Sequence, residues 1–329
     1  MRVNLSSFVN AIQTVDIERS IQVTNGGSMI TRRMFTGALA GASLAGVVAA
    51  SFGEWAMAAD SNGAGLADKI SKRLARIEAS TSGRLGVSVL DTGSGAHAGL
   101  RADEAFPMCS TFKFLAAGFV LARVDKGEED LKRKIVYSKS DLVDYSPVTQ
   151  HHADSAGLSV AALCDAAITL SDNTAANLLL ASFGGPAALT AFVRTLGDTQ
   201  TRLDRNEPTL NESTPGDPRD TTTPNAMLAN MRTLLLTDRL SVSSCAQLRD
   251  WLIANKTGAK RIREKLPKDW RVGDKTGTGS HGSTNDIAII WPPKRAPLLV
   301  TAYLTLTSAQ TARREAAIAD IGGLVVSSF

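Results

Sequence analysis

Residues 84–92 read R-L-G-V-S-V-L-D-T, with Leu85, Val87 and Val89 alternating against Gly86 and Ser88. A period of two marks a strand with one face in a core. Asp91 to Gly95 supplies a turn, and a second short strand follows near His97 to Ala102. On the other side, Leu66, Ile70, Leu74 and Ile77 recur at i, i+4, i+8 and i+11, which predicts an amphipathic helix over 65–78. Strand patterns return only at 271–276, 286–291 and 298–307, the last two joined by the turn-rich W-P-P-K-R-A-P. Between them, helical patterns cover 112–124, 159–170, 174–183, 186–196, 223–235 and 243–255, and a helix over 309–326 closes the chain. Strands at both ends of a helical middle imply one shared sheet. The expected organisation is an α/β subdomain from 59–108 and 255–329, covered by helices, with an all-α subdomain inserted over 109–254. Ligand sites tend to lie in such clefts.

The composition fits a folded protein: 43% of the 329 residues are hydrophobic and 21% charged, which excludes disordered, collagen-like and disulfide-dense classes. Lys and Arg number 36 against 32 Asp and Glu, for a net charge of +4. No basic stripe is interleaved with aromatics, so nucleic acid is not an expected partner. Cys109, Cys164 and Cys245 cannot all pair within one chain, and no C-x-x-C or H-x-x-H spacing points to a metal.

The first 58 residues read as an address. Thr31-Arg32-Arg33-Met34-Phe35 precedes an Ala/Gly-rich apolar run over 35–51, and Ala56-Met57-Ala58 offers a small-x-small cleavage site. That order describes a bacterial signal peptide, and the arginine pair points to twin-arginine export. The run is too short and too rich in Ala and Gly to favour a membrane anchor. Met29 is the expected natural start, and cleavage after Ala58 would leave 59–329 in the periplasm, with no membrane attachment. Unpaired cysteines suit a chain that folds in the reducing cytoplasm before export.

Three short motifs carry the chemistry. S-T-F-K, Ser110 to Lys113, follows a chain break at Pro107 and opens an apolar helical run. Ser110 thus sits at a helix N-terminus that favours developing negative charge, with Lys113 one turn on as a candidate base. S-D-N, Ser171 to Asn173, lies between two helical stretches, and K-T-G, Lys275 to Gly277, ends a strand. Each has an ordinary reading: a capping serine, a capping Ser-Asp pair, a strand-end turn. K-T-G even occurs a second time, at Lys256 to Gly258. In this order and these settings, however, the three form one signature.

The sequence resembles the class A serine β-lactamases. Beyond the three motifs, the resemblance rests on D-L-V-D-Y-S-P-V-T (141–149), L-S-D-N-T-A-A-N-L-L-L (170–180), L-D-R-N-E-P-T-L-N-E (203–212), R-D-T-T-T-P (219–224) and V-G-D-K-T-G-T-G (272–279), and it covers 59–329. It implies a two-subdomain fold, α+β or α/β, whose antiparallel sheet from both termini is covered by helices beside an inserted all-α subdomain. It also implies an omega loop at about 202–220, closed by Arg205 and Asp220. The implied activity is hydrolysis of the β-lactam amide of penicillins and cephalosporins through an acyl-serine intermediate, conferring antibiotic resistance, without metal or organic cofactor; nothing in the sequence suggests more than a monomer.

Residue roles follow from the same resemblance. Ser110 is the nucleophile, the backbone N–H groups of Ser110 and Thr278 form the oxyanion hole, and either Lys113 or, through water, Glu207 takes the serine proton. Ser171 relays a proton to the leaving nitrogen, Asn173 binds the acylamide side chain and Tyr145 walls the cleft. Lys275, Thr276 and Thr278, on the strand with Gly277, recognise the substrate carboxylate. Glu207 and Asn211 hold the hydrolytic water, which separates lactamases from penicillin-binding proteins that acylate and stall; β-lactam sensors are normally tied to a transmembrane segment, which the expected cleavage would not leave. Thr284 stands where many members carry an arginine. Arg261 matches an alternative arginine position, the other reading being a solvent-exposed charge. Carbapenem-hydrolysing relatives pair the cysteine before the nucleophile with one at the position of Gly279, so Cys109 has no such partner. Cys164 likewise finds Ala117. Both read as small buried hydrophobes. By position alone, His151 and His152 cap or pack a turn, and for His281, beside K-T-G-T-G-S, contact with substrate side chains is the lesser reading.

Overall fold

The computed structural model describes residues 48–329, with side chains from Gly65 onward. The expected signal region therefore lies outside the described residues up to position 47. Helix α1 (Val48–Thr81) exceeds the expected 65–78 at both ends. It buries Ile70 and Leu74 from the predicted stripe.

Strands β1 (Arg84–Asp91) and β2 (His97–Leu100) form a hairpin, and β7 (Arg271–Thr278), β8 (Thr284–Trp291) and β9 (Leu298–Thr305) complete an antiparallel sheet in the order β2-β1-β9-β8-β7. The first and last strands in sequence are thus neighbours, paired from Arg84 opposite Thr305 to Asp91 opposite Leu298. One face, carrying Leu85, Val87, Val89, Val300 and Leu304, packs against α1 and α8 (Thr311–Val326). Ile287, Ile289, Leu299 and Tyr303 on the other face join the core of the helical layer. Both faces being covered, β9 is buried along its whole length.

The helical layer holds α2 (Phe112–Asp125), α3 (Val160–Thr169), α4 (Asn173–Ser182), α5 (Gly185–Thr195), α6 (Pro224–Leu236) and α7 (Val242–Ile253). Its centre is α2, buried on nearly every side from Phe112 to Ala122. The segment 109–254 is not purely helical: β4 (Lys134–Ile135) pairs with β5 (Leu158–Ser159), and β3 (Phe106–Pro107) pairs with β6 (Thr221–Thr222). Two-residue strands leave no periodicity to read. Residues from Phe52 onward form a single unit. Among the described residues no single helix is long and apolar enough to cross a membrane.

Candidate active site

Ser110 lies in a 3-10 turn, Cys109–Thr111, that leads into α2. Cys109 adopts a left-handed conformation, φ +45°, unusual for a residue with a side chain. Tyr145 (φ +64°), Ser171 (φ +58°), Ser213 (φ +49°) and His281 (φ +54°) share it. Backbone strain of this kind beside Ser110 and at Ser171 and Tyr145 is of the sort found at functional sites. The turn is held from two sides: Met108 N–H donates to the Asp220 carbonyl (2.9 Å), and Asn285 Nδ2 donates to the carbonyls of Pro107 (2.9 Å) and Met108 (3.1 Å). Gly277 lets β7 approach closely, since a Cβ there would stand 2.8 Å from the Met108 carbonyl oxygen.

The Ser110 hydroxyl donates to Glu207 Oε1 (3.0 Å). Lys113 Nζ reaches the same oxygen (3.0 Å), and both side chains of this ion pair are fully buried. Asn211 Nδ2 donates to Glu207 Oε2, while Asn211 Oδ1 finds no partner. Lys113 also donates to Asn173 Oδ1 (2.6 Å) and the Ser171 carbonyl (2.8 Å). Burial pulls its pKa down, and the Glu207 charge opposes the shift. Lys275 lies deeper in the same charge cluster, donating to Ser171 Oγ (3.1 Å) and the Thr276 carbonyl (2.9 Å). Burial first, then the Lys113 charge, pulls its pKa well below the ordinary value.

The S-D-N triplet divides its labour. Asp172 caps α4, accepting from Ala175 N–H (2.8 Å), and also accepts from Val148 N–H and Thr149 N–H (2.9 Å each). The capping reading thus describes Asp172, whereas Ser171 and Asn173 face the cleft. Asn173 N–H donates to the Tyr145 carbonyl (3.0 Å), which places the exposed Tyr145 ring at the rim.

Glu207 rides on the polar loop 202–220. Arg205 Nε donates to Asp220 Oδ2 (2.6 Å), the closure expected from the sequence, and Nη1 adds Glu212 (2.5 Å). Asn177 clamps the backbone of Glu207 on both sides, accepting from its N–H and donating to its carbonyl (2.9 Å each).

Arg261 is only 5% exposed, which overturns its reading as a solvent-exposed charge. Its Nη1 donates to the carbonyls of Gly277 (2.8 Å) and Asn285 (2.7 Å), and Nη2 to Thr278 Oγ1 (2.7 Å). The guanidinium therefore backs the hydroxyl of Thr278 at the end of β7.

These groups surround a cavity of about 610 Å³. Ser110, Tyr145, Ser171, Asn173 and Asn211 line one part of it. Arg261, Thr276, Gly277 and Thr278 line the opposite part. Lys113, Glu207 and Lys275 are buried beneath. Lys256 and Thr257 also line the cavity, so the second K-T-G lies beside the first: Thr257 Oγ1 and Thr276 Oγ1 are 2.5 Å apart. Its repetition was the sole signal for it in the sequence. His281 stands outside the cavity lining, with its ring toward Glu212. His151 is exposed at the end of a 3-10 turn, Thr149–His151, whose Thr149 is buried. Cys109 and Cys164 are buried free thiols, and burial pushes the Cys109 pKa up to about 12. A Cβ on Gly279 would stand 2.8 Å from Cys109 Sγ, where the partner cysteine of other members is expected. Among the described residues no three His, Cys, Asp or Glu side chains are placed to hold a metal ion.

Comparison with known proteins agrees with this geometry. A profile described as the β-lactamase enzyme family matches residues 69–329. The β-lactamase CTX-M-8 of Citrobacter amalonaticus is 46% identical over 263 residues, 80% of this chain and 90% of that protein. Among solved structures, an ancestral class A β-lactamase (GNCA) is 65% identical with a TM-score of 0.78, covering 79% of this chain and 100% of its own. A putative class A β-lactamase, PenP, from Rhodopseudomonas palustris is 58% identical over the same shares, also with a TM-score of 0.78.

Proposed function

The chain belongs to the β-lactamase enzyme family, and from that premise we propose which of its residues open the β-lactam ring and release the product. As a class A enzyme it hydrolyses β-lactams through an acyl-serine intermediate. Ser110 Oγ attacks the lactam carbonyl while the N–H groups of Ser110 and Thr278 hold the developing oxyanion. Glu207 takes the serine proton, a role supported by the 3.0 Å contact between them. Lys113 touches both Glu207 and Ser171; it passes a proton to Ser171 and takes the one Glu207 received, so the carboxylate is free again for the second half. Ser171 delivers a proton to the lactam nitrogen as the C–N bond breaks, supported by the Lys113 and Lys275 ammonium groups that both reach it. Lys275, Thr276, Thr278 and Arg261 bind the substrate carboxylate, while Asn173 and Tyr145 meet the acylamino side chain. In the second half, Glu207 and the open carbonyl of Asn211 hold a water that attacks the ester, Glu207 taking its proton, and Ser110 leaves with that proton restored. The reading asks for no metal or organic cofactor.

One observation carries it: Ser110 and Lys113 share an oxygen of a buried carboxylate whose other oxygen is held by Asn211. The test follows benzylpenicillin and nitrocefin turnover alongside intact mass. Wild type should turn over many equivalents, and Ser110→Ala should neither turn over nor gain substrate mass. A one-equivalent burst with a lasting adduct on wild type would instead mean a penicillin-binding protein or sensor. Arg261→Ala should raise KM for penicillins about 10-fold, the cost of one charge-assisted contact. An unchanged KM would remove Arg261 from carboxylate recognition.

The twin-arginine stretch supports export to the periplasm. Recovery of protein beginning at Ala59 from the periplasmic fraction is the expected result, and retention of Met29 there would refute it.

A further inference from the structure

The second K-T-G, Lys256 to Gly258, has no part in the reaction as described, yet it lies against the first. Gly258 lets its turn reach the buried strand β7, since a Cβ there would collide with Asp274 Oδ2. Asn255, just before the triplet, is held in one orientation. Its Nδ2 donates to Asp274 Oδ2 (2.5 Å), and its Oδ1 accepts from the Thr257 N–H (3.0 Å), a group that can only donate. The amide oxygen therefore faces Thr257, and the amide nitrogen faces Asp274.

That orientation decides where two hydrogens go. Thr257 Oγ1 lies 2.8 Å from Asn255 Oδ1, and a carbonyl oxygen only accepts, so Thr257 spends its one hydroxyl hydrogen there. Thr276 Oγ1 is 2.5 Å from Thr257 Oγ1. With the Thr257 hydrogen already committed, this second bond runs from Thr276 to Thr257. Thr276 lines the cavity beside Thr278 and Arg261. Its hydrogen thus points into the protein, and only its lone pairs are left for the cavity, the wrong polarity for a carboxylate.

We propose that Thr257 is a positioning residue that holds the Thr276 hydroxyl turned away from the carboxylate subsite until substrate arrives. Binding then reverses both hydroxyls without moving a heavy atom. Thr276 donates to the carboxylate, Thr257 donates to Thr276, and Asn255 keeps only the Thr257 N–H. One neutral hydrogen bond, from Thr257 to Asn255, is given up for a charge-assisted one. Thr257 is thereby a brake on carboxylate binding. The inference rests on the reading of Thr276 as a contact of the substrate carboxylate.

Kinetics and neutron diffraction test it. Thr257→Val keeps the shape and the N–H but loses the hydroxyl, so Thr276 is free to face the cavity. KM for benzylpenicillin should fall about 2- to 5-fold with kcat unchanged, the scale of one neutral hydrogen bond less what the polarised chain returns. Mere damage to the fold would not tighten binding. Thr257→Ser restores the hydroxyl and should restore the wild-type KM. In a Thr276→Val background, Thr257→Val should change nothing. A KM unmoved or raised by Thr257→Val, lowered equally by Thr257→Ser, or lowered again without the Thr276 hydroxyl would overturn the brake. Neutron diffraction should place the Thr276 deuterium toward Thr257 in the free enzyme and toward the carboxylate in Ser110→Ala soaked with benzylpenicillin. A deuterium facing the cavity in the free enzyme would refute the proposal. Thr276→Val alone should raise KM; no rise would remove Thr276 from carboxylate recognition, and the deuterium in the free enzyme would still decide the hydroxyl chain.

Discussion

Glu207→Ala should convert the enzyme into a trap. Benzylpenicillin is expected to give one rapid equivalent of ring opening, an intact mass raised by one substrate, and a kcat lowered roughly 10³-fold, the scale of a lost general base. The asymmetry between the half-reactions follows from Lys113. With Glu207 gone, the buried ammonium loses the carboxylate 3.0 Å away that holds its proton on. Burial, the largest influence on it, then draws its pKa down further. A neutral lysine one helical turn from Ser110 can take the serine proton, so acylation continues. No such substitute stands beside Asn211 to activate water, so deacylation stops. KM should fall together with kcat, because the adduct accumulates. Normal turnover, or no adduct at all, would show that Glu207 is not the deacylation base.

The second large effect is expected from Lys113→Met, which keeps the volume of the chain and removes its charge. Glu207 is then a buried carboxylate without its cation, facing either an uncompensated charge or the uptake of a proton. Breaking a buried pair from one side costs about 3–5 kcal/mol. In a domain of this size that corresponds to a melting temperature lower by roughly 6–15 °C. A Glu207 that has taken up a proton can accept none from serine or water, and Asn173 and Ser171 lose their shared donor, so kcat/KM should drop about 10³-fold or more. The two losses are separable: calorimetry reads the first, and turnover well below the new melting point reads the second. A variant as stable as wild type would mean that water or a shifted side chain replaces the ammonium.

How much of this was legible in the chain depends on the range of the interactions. The alternation of Leu85, Val87 and Val89 and the stripe of Ile70 and Leu74 are local, and both proved to face one core. The three motifs were legible because each is short and sits at the end of an element. What escaped is non-local. That Lys113 serves Glu207, Asn173 and Ser171 at once depends on residues up to 94 positions away meeting beneath one cavity. Thr257 joins Thr276 only because the chain after α7 returns beside β7. The capping reading of Ser171 and Asp172 holds for Asp172 alone, since capping and catalysis draw on the same short polar side chains and the sequence does not tell them apart. The burial of Arg261 depends on carbonyls of β7 and β8 that no local pattern could place.

The order β2-β1-β9-β8-β7 has a bearing on how the molecule comes into being. The middle strand of the sheet is the last strand synthesised, and it is the sole bridge between the N-terminal hairpin and the β8–β7 pair that carries Lys275. While the ribosome is still making the chain, α2 with its serine can form early, but β1 has no neighbour except β2. Contacts spanning more than 200 residues must close before the sheet exists, so topology makes assembly slow and late. The hydrolytic centre thus becomes whole only when nearly the entire polypeptide has been released, and truncations before Leu298 should leave a nucleophile without the wall that faces it.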